Sequence, residues 1–235
     1  MRSVQQQTFQ NVEHIIQDGG STDRTLEVID ATADARTHRV SAPDDGIYDA
    51  INKGIERSSG DVIGLMHSDD YFAHANILTL VEAAFANPDV DGVYGDLDYV
   101  SGADTNHVIR RWRSGGMTRD KLKRGWMPPH PTLYLRRSVF DSFGGYDTSY
   151  TISADYDAIL RWLWTEQIKL AYVPEVLVKM RVGGESNRSF ERILRKSRED
   201  YRALRSNRVG GLGTLLLKNA TKIGQFMPNR KKNND

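Results

Sequence analysis

The chain has 235 residues, 39% of them hydrophobic, which is enough to bury one sizeable core. Its 32 Lys and Arg against 31 Asp and Glu leave a formal charge of +1, so nothing in the overall balance calls for nucleic acid as a partner. Cysteine is absent, which excludes disulfides and thiolate metal sites and leaves oxygen or imidazole as the donors for any metal.

The N-terminal "MRSVQQQTFQNVEHIIQDGG" has no apolar signal region, and no apolar run reaches the length of a membrane span, so a soluble, cytoplasmic chain is expected. "VEHIIQDGG" is a β-branched strand that breaks at Gly19 and Gly20. In "STDRTLEVIDATA", Leu26, Ile29 and Ala33 have helical spacing, with Ser21 suited to the N-cap and Asp23 to the first turn. A second strand, "THRVSA", precedes "PDDGIYDAINKGIERSSG", where Ile47, Ile51 and Ile55 recur every four residues along one helix face. "DVIGLMHSDD" reads as the next strand and "ANILTLVEAAFANP" as a helix ending at Pro88. "DGVYGDLDYV" reads as a strand that returns through "HVIRRW" as a hairpin. Strand and helix alternate over about the first hundred residues, which favours an α/β fold with a parallel or mixed sheet whose ligands sit at strand ends.

On such a sheet Asp18 and the adjacent pair Asp69 and Asp70 fall where strands end and face one crevice. Each alone also suits a turn. Together they have the chemistry to hold a diphosphate through a divalent cation, which needs one or two carboxylates while phosphate oxygens and water complete its shell. Gly19-Gly20 is followed by no Walker lysine, and "DGGSTD" does not fit a dinucleotide fingerprint.

The series "IIQDGGSTDRT", "PDDGIYDAINKGI", "SSGDVIGLMHSDDYF", "HPTLYLRRSVFDSFGGYD" and "SADYDAILR" resembles family-2 glycosyltransferases of the glycosyltransferase A fold, more narrowly those of bacterial exopolysaccharide and colanic-acid synthesis. The resemblance covers roughly residues 1–190 and implies a mixed, mostly parallel sheet flanked by helices. It implies inverting transfer of a sugar from a nucleoside diphosphate, usually uridine-linked, to a hydroxyl of a glycan or polyprenyl-linked glycan, with Mg²⁺ or Mn²⁺ as cofactor. Asp18 then contacts the nucleotide, Asp69 the ribose and Asp70 the metal, while Asp45, Tyr48 and Lys53 line the nucleotide site. Asp155 matches the general base that takes the acceptor proton, and Ala154 and His67 stand where relatives often carry acids.

Asp155 and Asp157 are two apart, so on a helix they point about 200° from one another and only one faces the cleft. On the acceptor side, Trp126 and His130 are weighed against structural roles, with His130 and Asp157 kept as candidates. Gly183, Gly184 and Ser186, with Arg181 or Arg188, resemble a segment near the donor diphosphate. A nucleotidyltransferase or phosphohydrolase, or a non-catalytic sugar-nucleotide binder, remain alternatives. Nucleotide-binding and acceptor parts are expected at about 1–100 and 101–190.

Residues 191–235 read as a helix and a basic tail. Phe190, Ile193, Leu194, Tyr201 and Leu204 form the expected inner helix face. The stretch 208–235 combines an apolar patch with Lys218, Lys222, Arg230, Lys231 and Lys232, which suits peripheral contact with the inner face of the plasma membrane. In the resembled family a strand and a helix start precede "RSVQQQTF", roughly 15 to 25 residues by the usual sizes of such elements. The resemblance therefore implies two unpaired strand edges and an incomplete core.

Overall fold

The computed structural model describes residues 1–182 and 190–224. A short helix α1 (Arg2–Gln5) leads to β1 (His14–Asp18), α2 (Thr25–Thr32), β2 (Thr37–Ser41), α3 (Ile47–Arg57), β3 (Val62–Gly64) and β4 (Asp70–Phe72). Next come α4 (Ile77–Ala84), β5 (Gly92–Ser101), β6 (Val108–Trp112), α5 (Arg119–Lys123), β7 (Tyr134–Arg136) and α6 (Arg137–Phe143). The chain closes with α7 (Ala154–Leu160), β8 (Leu170–Val182), α8 (Phe190–Ser206) and α9 (Leu212–Gly224). No helix among the described residues is long and apolar enough to cross a membrane.

The principal sheet runs β3-β7-β5-β8-β4, with β6 on β5. Its centre is the parallel β5–β8 pair, and β7, β6, β3 and β4 join antiparallel. β5 reads as a nearly continuous buried run, as a strand covered on both faces should. One face packs against Ile77 and Val81 of α4, the other against Tyr156, Ile159 and Trp162. β1 and β2 form a separate two-stranded parallel sheet.

Several local expectations need correction. The Ser21 side chain turns back to Asp18 instead of capping α2, which starts at Thr25 with Asp23 Oδ1 accepting the Thr25 N–H at 2.9 Å. "DVIGLMHSDD" is not one strand. Only Val62–Gly64 pair with β7, and Asp70 opens β4 instead of closing β3. Ile193, Leu194 and Tyr201 are exposed, and the inner face of α8 consists of Asp200, Ala203 and Leu204, with Asn207 following.

The expected pair of open strand edges is present: among the described residues β1 pairs only with β2, and β3 only with β7. Between them lies a cavity of about 820 Å³, walled by Ile51 and Ile55 of α3 on one face and by Val4, Val81 and Phe85 on the other. His14 borders it with an Nδ1 that has no hydrogen-bond partner among the described residues. Burial pushes its pKa from 6.5 down to about 4. A depressed imidazole contributes stability above its unfolded value near 6.5 and loses it as pH falls through about 4. Thermal stability should therefore fall over that window, and His14→Gln should flatten the slope of Tm against pH. An unchanged slope in the variant contradicts this account of His14.

Candidate active site

Asp18 closes β1 where Gly20, at φ +87°, turns the chain. Its Oδ2 accepts the Gly20 and Ser21 N–H groups, each at 3.0 Å, and the Ser41 hydroxyl at 2.6 Å, while Oδ1 accepts the Ser21 hydroxyl. These bonds, those of the Ser21 and Ser41 hydroxyls foremost, hold its pKa down at about 2. In this structure the carboxylate shapes the turn that follows β1 and ties it to the end of β2. Beyond it Asp45 is exposed, and Lys53 Nζ pairs with Asp49 at 2.6 Å.

Asp69 and Asp70 follow a turn in which the Asp70 N–H donates to the His67 carbonyl at 3.0 Å. They diverge at once. Asp69 is exposed, whereas Asp70 is buried, and both its carboxylate oxygens lack a partner among the described residues. Burial, reinforced by the neighbouring Asp69 charge and only partly offset by Arg181, pushes the Asp70 carboxyl up to about 7. A buried carboxylate with no donor is costly unless a cation satisfies it. The described residues hold no cluster of three His, Asp or Glu side chains that would cage a metal alone. One carboxylate completed by phosphate oxygens and water is the arrangement Asp70 fits.

Asp155 lies in the first turn of α7. Its Oδ1 accepts the Tyr156 N–H at 2.8 Å and stands 3.3 Å from the Tyr48 hydroxyl, which donates to the Ile152 carbonyl at 2.6 Å. Tyr48 thus stands beside Asp155, with its hydroxyl turned to the Ile152 carbonyl. Its ring stacks on Tyr146 at 5.9 Å, the Tyr146 hydroxyl is 2.9 Å from His130 Nε2, and His130 lies 5.8 Å from His67. Burial lowers both imidazoles, His130 to about 4, so the two are neutral at pH 7. The charges of Asp155 and Asp69 both act on His67 and partly offset the effect of its burial.

Asp157 points the other way, as its spacing from Asp155 requires. It accepts from Tyr150 at 3.2 Å and Asn207 at 2.9 Å, so it ties α7 to the end of α8. His130 is buried against Tyr146 and Trp126 donates to the Ser114 carbonyl at 3.1 Å, both of them structural contacts. Arg181 lies over the Tyr71 ring at 5.2 Å, while Gly183, Gly184, Ser186 and Arg188 lie outside the described residues.

Three positions were missed by sequence reasoning. Asn52 on α3 exchanges hydrogen bonds with the Tyr146 backbone at 2.8 and 2.9 Å and so clamps the "GGYD" segment to α3. An Asn beside an apolar helix face is the signal that could have found it. Glu199 accepts the N–H groups of Thr151, Ile152 and Ser153 at 3.2, 2.8 and 2.9 Å, closing the start of α7 from a distant helix. Asp200 accepts the Ser153 hydroxyl at 2.8 Å and pairs with Lys218 at 2.9 Å, both side chains being 3% exposed. Asp155 is therefore held on one side by Tyr48 and on the other by a carboxylate brace from α8. Glu199→Ala should leave those amides without their acceptor and cost about 1–3 kcal/mol, read as a lower urea midpoint at unchanged m-value. An unchanged midpoint contradicts the brace.

Comparison with known proteins extends this geometry. The family model described as glycosyl transferase family 2 matches residues 1–144. A PGL/p-HBAD biosynthesis glycosyltransferase of Mycobacterium tuberculosis is 30% identical over 190 residues, covering 79% of this chain and 72% of the relative. An uncharacterized glycosyltransferase of the same species is 30% identical over 169 residues, or 68% of this chain, and the match spans only 61% of that protein's length. These relatives are mycobacterial and give no support to the narrower colanic-acid resemblance. Among solved structures, S. aureus TarS 1–349 in complex with UDP-GlcNAc aligns at TM-score 0.64 and 15% identity, over 88% of this chain and 60% of that one. A mannosyltransferase from Pyrobaculum calidifontis in complex with GDP-Man and Mn²⁺ aligns at 0.63 and 13%, over 96% and 67%. At such identities the likeness shows the fold, which is the glycosyltransferase A fold.

Proposed function

The chain belongs to glycosyl transferase family 2, and from that premise we propose that it transfers a sugar, with inversion, from a nucleoside diphosphate donor to a hydroxyl of a glycan or lipid-linked glycan. A uridine-linked donor and a place in cell-surface polysaccharide assembly are part of this reading. The observation that carries it is the buried carboxylate of Asp70, whose two oxygens have no partner among the described residues, in a chain whose Asp155 is held separately by Tyr48 and the α8 brace. The UDP-GlcNAc and GDP-Man complexes of the structural neighbours support a sugar-nucleotide donor.

In this reading the acceptor hydroxyl lies against Asp155 Oδ2, which no hydrogen bond reaches among the described residues. The oxygen attacks the anomeric carbon, its proton passes to Asp155, and the sugar–phosphate bond breaks with its electron pair leaving on the diphosphate. The Tyr48 hydroxyl donates at 2.6 Å to the Ile152 carbonyl and only at 3.3 Å to Asp155 Oδ1, so the tyrosine orients Asp155 while leaving most of its charge free. Neutral His67 and His130 keep a second positive charge away from the base. Asp70 would hold the divalent metal, Mg²⁺ or Mn²⁺, which supplies positive charge against the charge growing on the leaving diphosphate. Asp69, exposed next to it, is assigned to the ribose, and Asp45 and Lys53 to the outer edge of the nucleotide site.

The test is release of nucleoside diphosphate from UDP- and GDP-sugars with Mn²⁺, with and without a polyprenyl-linked sugar acceptor. Release that depends on acceptor supports transfer. Equal release without acceptor, or a nucleoside monophosphate product, points to a phosphohydrolase or nucleotidyltransferase instead.

A further inference from the structure

We propose that α8 and α9 form a docking face for an anionic lipid bilayer. On α9, Leu215 packs inward on the core and Lys218 turns inward to Asp200 and the Tyr156 ring. The opposite side presents Leu212 at 66%, Leu216 at 70% and Leu217 at 49% exposure, with Gly213 and Ala220 exposed beside them. At 100° per residue these positions make one continuous outward face that contains no charged residue. An exposed leucine is ordinary, but three on one uncharged helix face make a surface that water alone does not suit.

Charge identifies the occupant. Residues 190–224 carry nine Lys and Arg against three acids, in a chain whose net charge is only +1. Arg195, Arg198, Arg205 and Arg208 are exposed on α8 and the turn after it, and α8 is tied to α9 through Asp200 and Lys218. An apolar stripe beside clustered cations matches a membrane interface, where acyl chains take the leucines and anionic headgroups take the arginines. A second copy of the chain is the poorer fit, since a twofold pairing through this face would set the same cationic helices against each other.

The inner side of α9 gives this docking a direction. Gly125, at φ +82°, lets α9 approach so closely that an added Cβ would come within 3.0 Å of the Lys218 Cα, and Trp126 follows it. Through Asp200, Lys218 also reaches the Ser153 turn that carries Asp155. A chain seated on lipid by α9 therefore holds the base-bearing turn close to the bilayer, as a lipid-linked acceptor requires. This last consequence rests on the glycosyltransfer reading; the docking surface does not.

The experiment is co-sedimentation with phosphatidylcholine vesicles and with vesicles containing phosphatidylglycerol. The expected result is binding only to the anionic vesicles, reduced about tenfold by 0.5 M salt and about tenfold by L212S/L216S/L217S or by R195Q/R198Q/R205Q. These side chains are exposed, so thermal unfolding of each variant should match the parent and confirm that it folds. Equal binding to neutral vesicles, binding that survives the leucine substitutions, or a concentration-dependent dimer abolished by them without any vesicle binding would each overturn the proposal. Loss of vesicle binding with acceptor-dependent release intact on a detergent-dispersed acceptor would separate docking from catalysis.

Discussion

Replacing Asp155 with asparagine is expected to lower sugar transfer roughly 100- to 10,000-fold, the range a positioned general base contributes. Affinity for the nucleoside diphosphate should stay within about twofold, because among the described residues no hydrogen bond joins Asp155 to Asp18, Asp69 or Asp70. Asparagine keeps an Oδ1 that accepts from the Tyr156 N–H and stands by Tyr48, so the turn should remain in place. The loss should therefore appear in kcat and kcat/KM together, with donor KM unchanged. A variant that transfers at the parental rate would remove Asp155 from the reaction. A variant that loses donor binding as well would show that the residue shapes the site instead of taking a proton.

Asp70→Asn should have two opposite effects. The gain in UDP affinity on adding Mn²⁺, measured by calorimetry, should fall at least tenfold, since the amide offers the cation no negative charge. The metal-free protein should become more stable at neutral pH. The Asp70 carboxyl is raised from 3.8 to about 7, so the folded chain bears a penalty that is absent below pH 4, grows as pH rises and is complete above 7. A shift of that size corresponds to about 4 kcal/mol at full value, and water reaching the cleft reduces the expected gain to about 2 kcal/mol. Urea midpoints at pH 7.5 and pH 4 should show the stabilisation at the first and little at the second. Equal effects at both pH values would mean that the charge of Asp70 is not what the fold resists.

Local pattern carried the elements with strong periodicity. The four-residue isoleucine spacing placed α3, and the glycine break after a β-branched run placed β1. What local pattern missed depends on distant partners. "DVIGLM" looks uniformly apolar, but the ladder with β7 ends at Gly64, and β4 exists because Met180 and its neighbours come back to pair with it. On α8 Ile193, Leu194 and Tyr201 point out, while Asp200 points in beside Ala203 and Leu204 because Lys218 and Ser153 satisfy its carboxylate; a hydrophobic period cannot foresee a buried polar pair.

The site divides in the same way. Helical geometry alone separated Asp155 from Asp157, and the adjacent acids marked the turn before β4. Asp18, by contrast, already has both oxygens engaged within its own turn, and the Tyr48 hydroxyl stands beside Asp155. The roles of Asn52, Tyr146 and Glu199 arise only when α3, the "GGYD" loop and α8 meet. The open edges of β1 and β3 were anticipated from the resemblance, and the cavity between them gives that expectation its dimensions.

The most direct test of the central claim is a crystal structure of the chain with a UDP-sugar and Mn²⁺. The prediction is a metal about 2.0–2.2 Å from an Asp70 oxygen and bridging the diphosphate, with the anomeric carbon facing Asp155 and the ribose near Asp69. A nucleotide bound with its diphosphate away from Asp70, or with the anomeric carbon out of reach of Asp155, would contradict it.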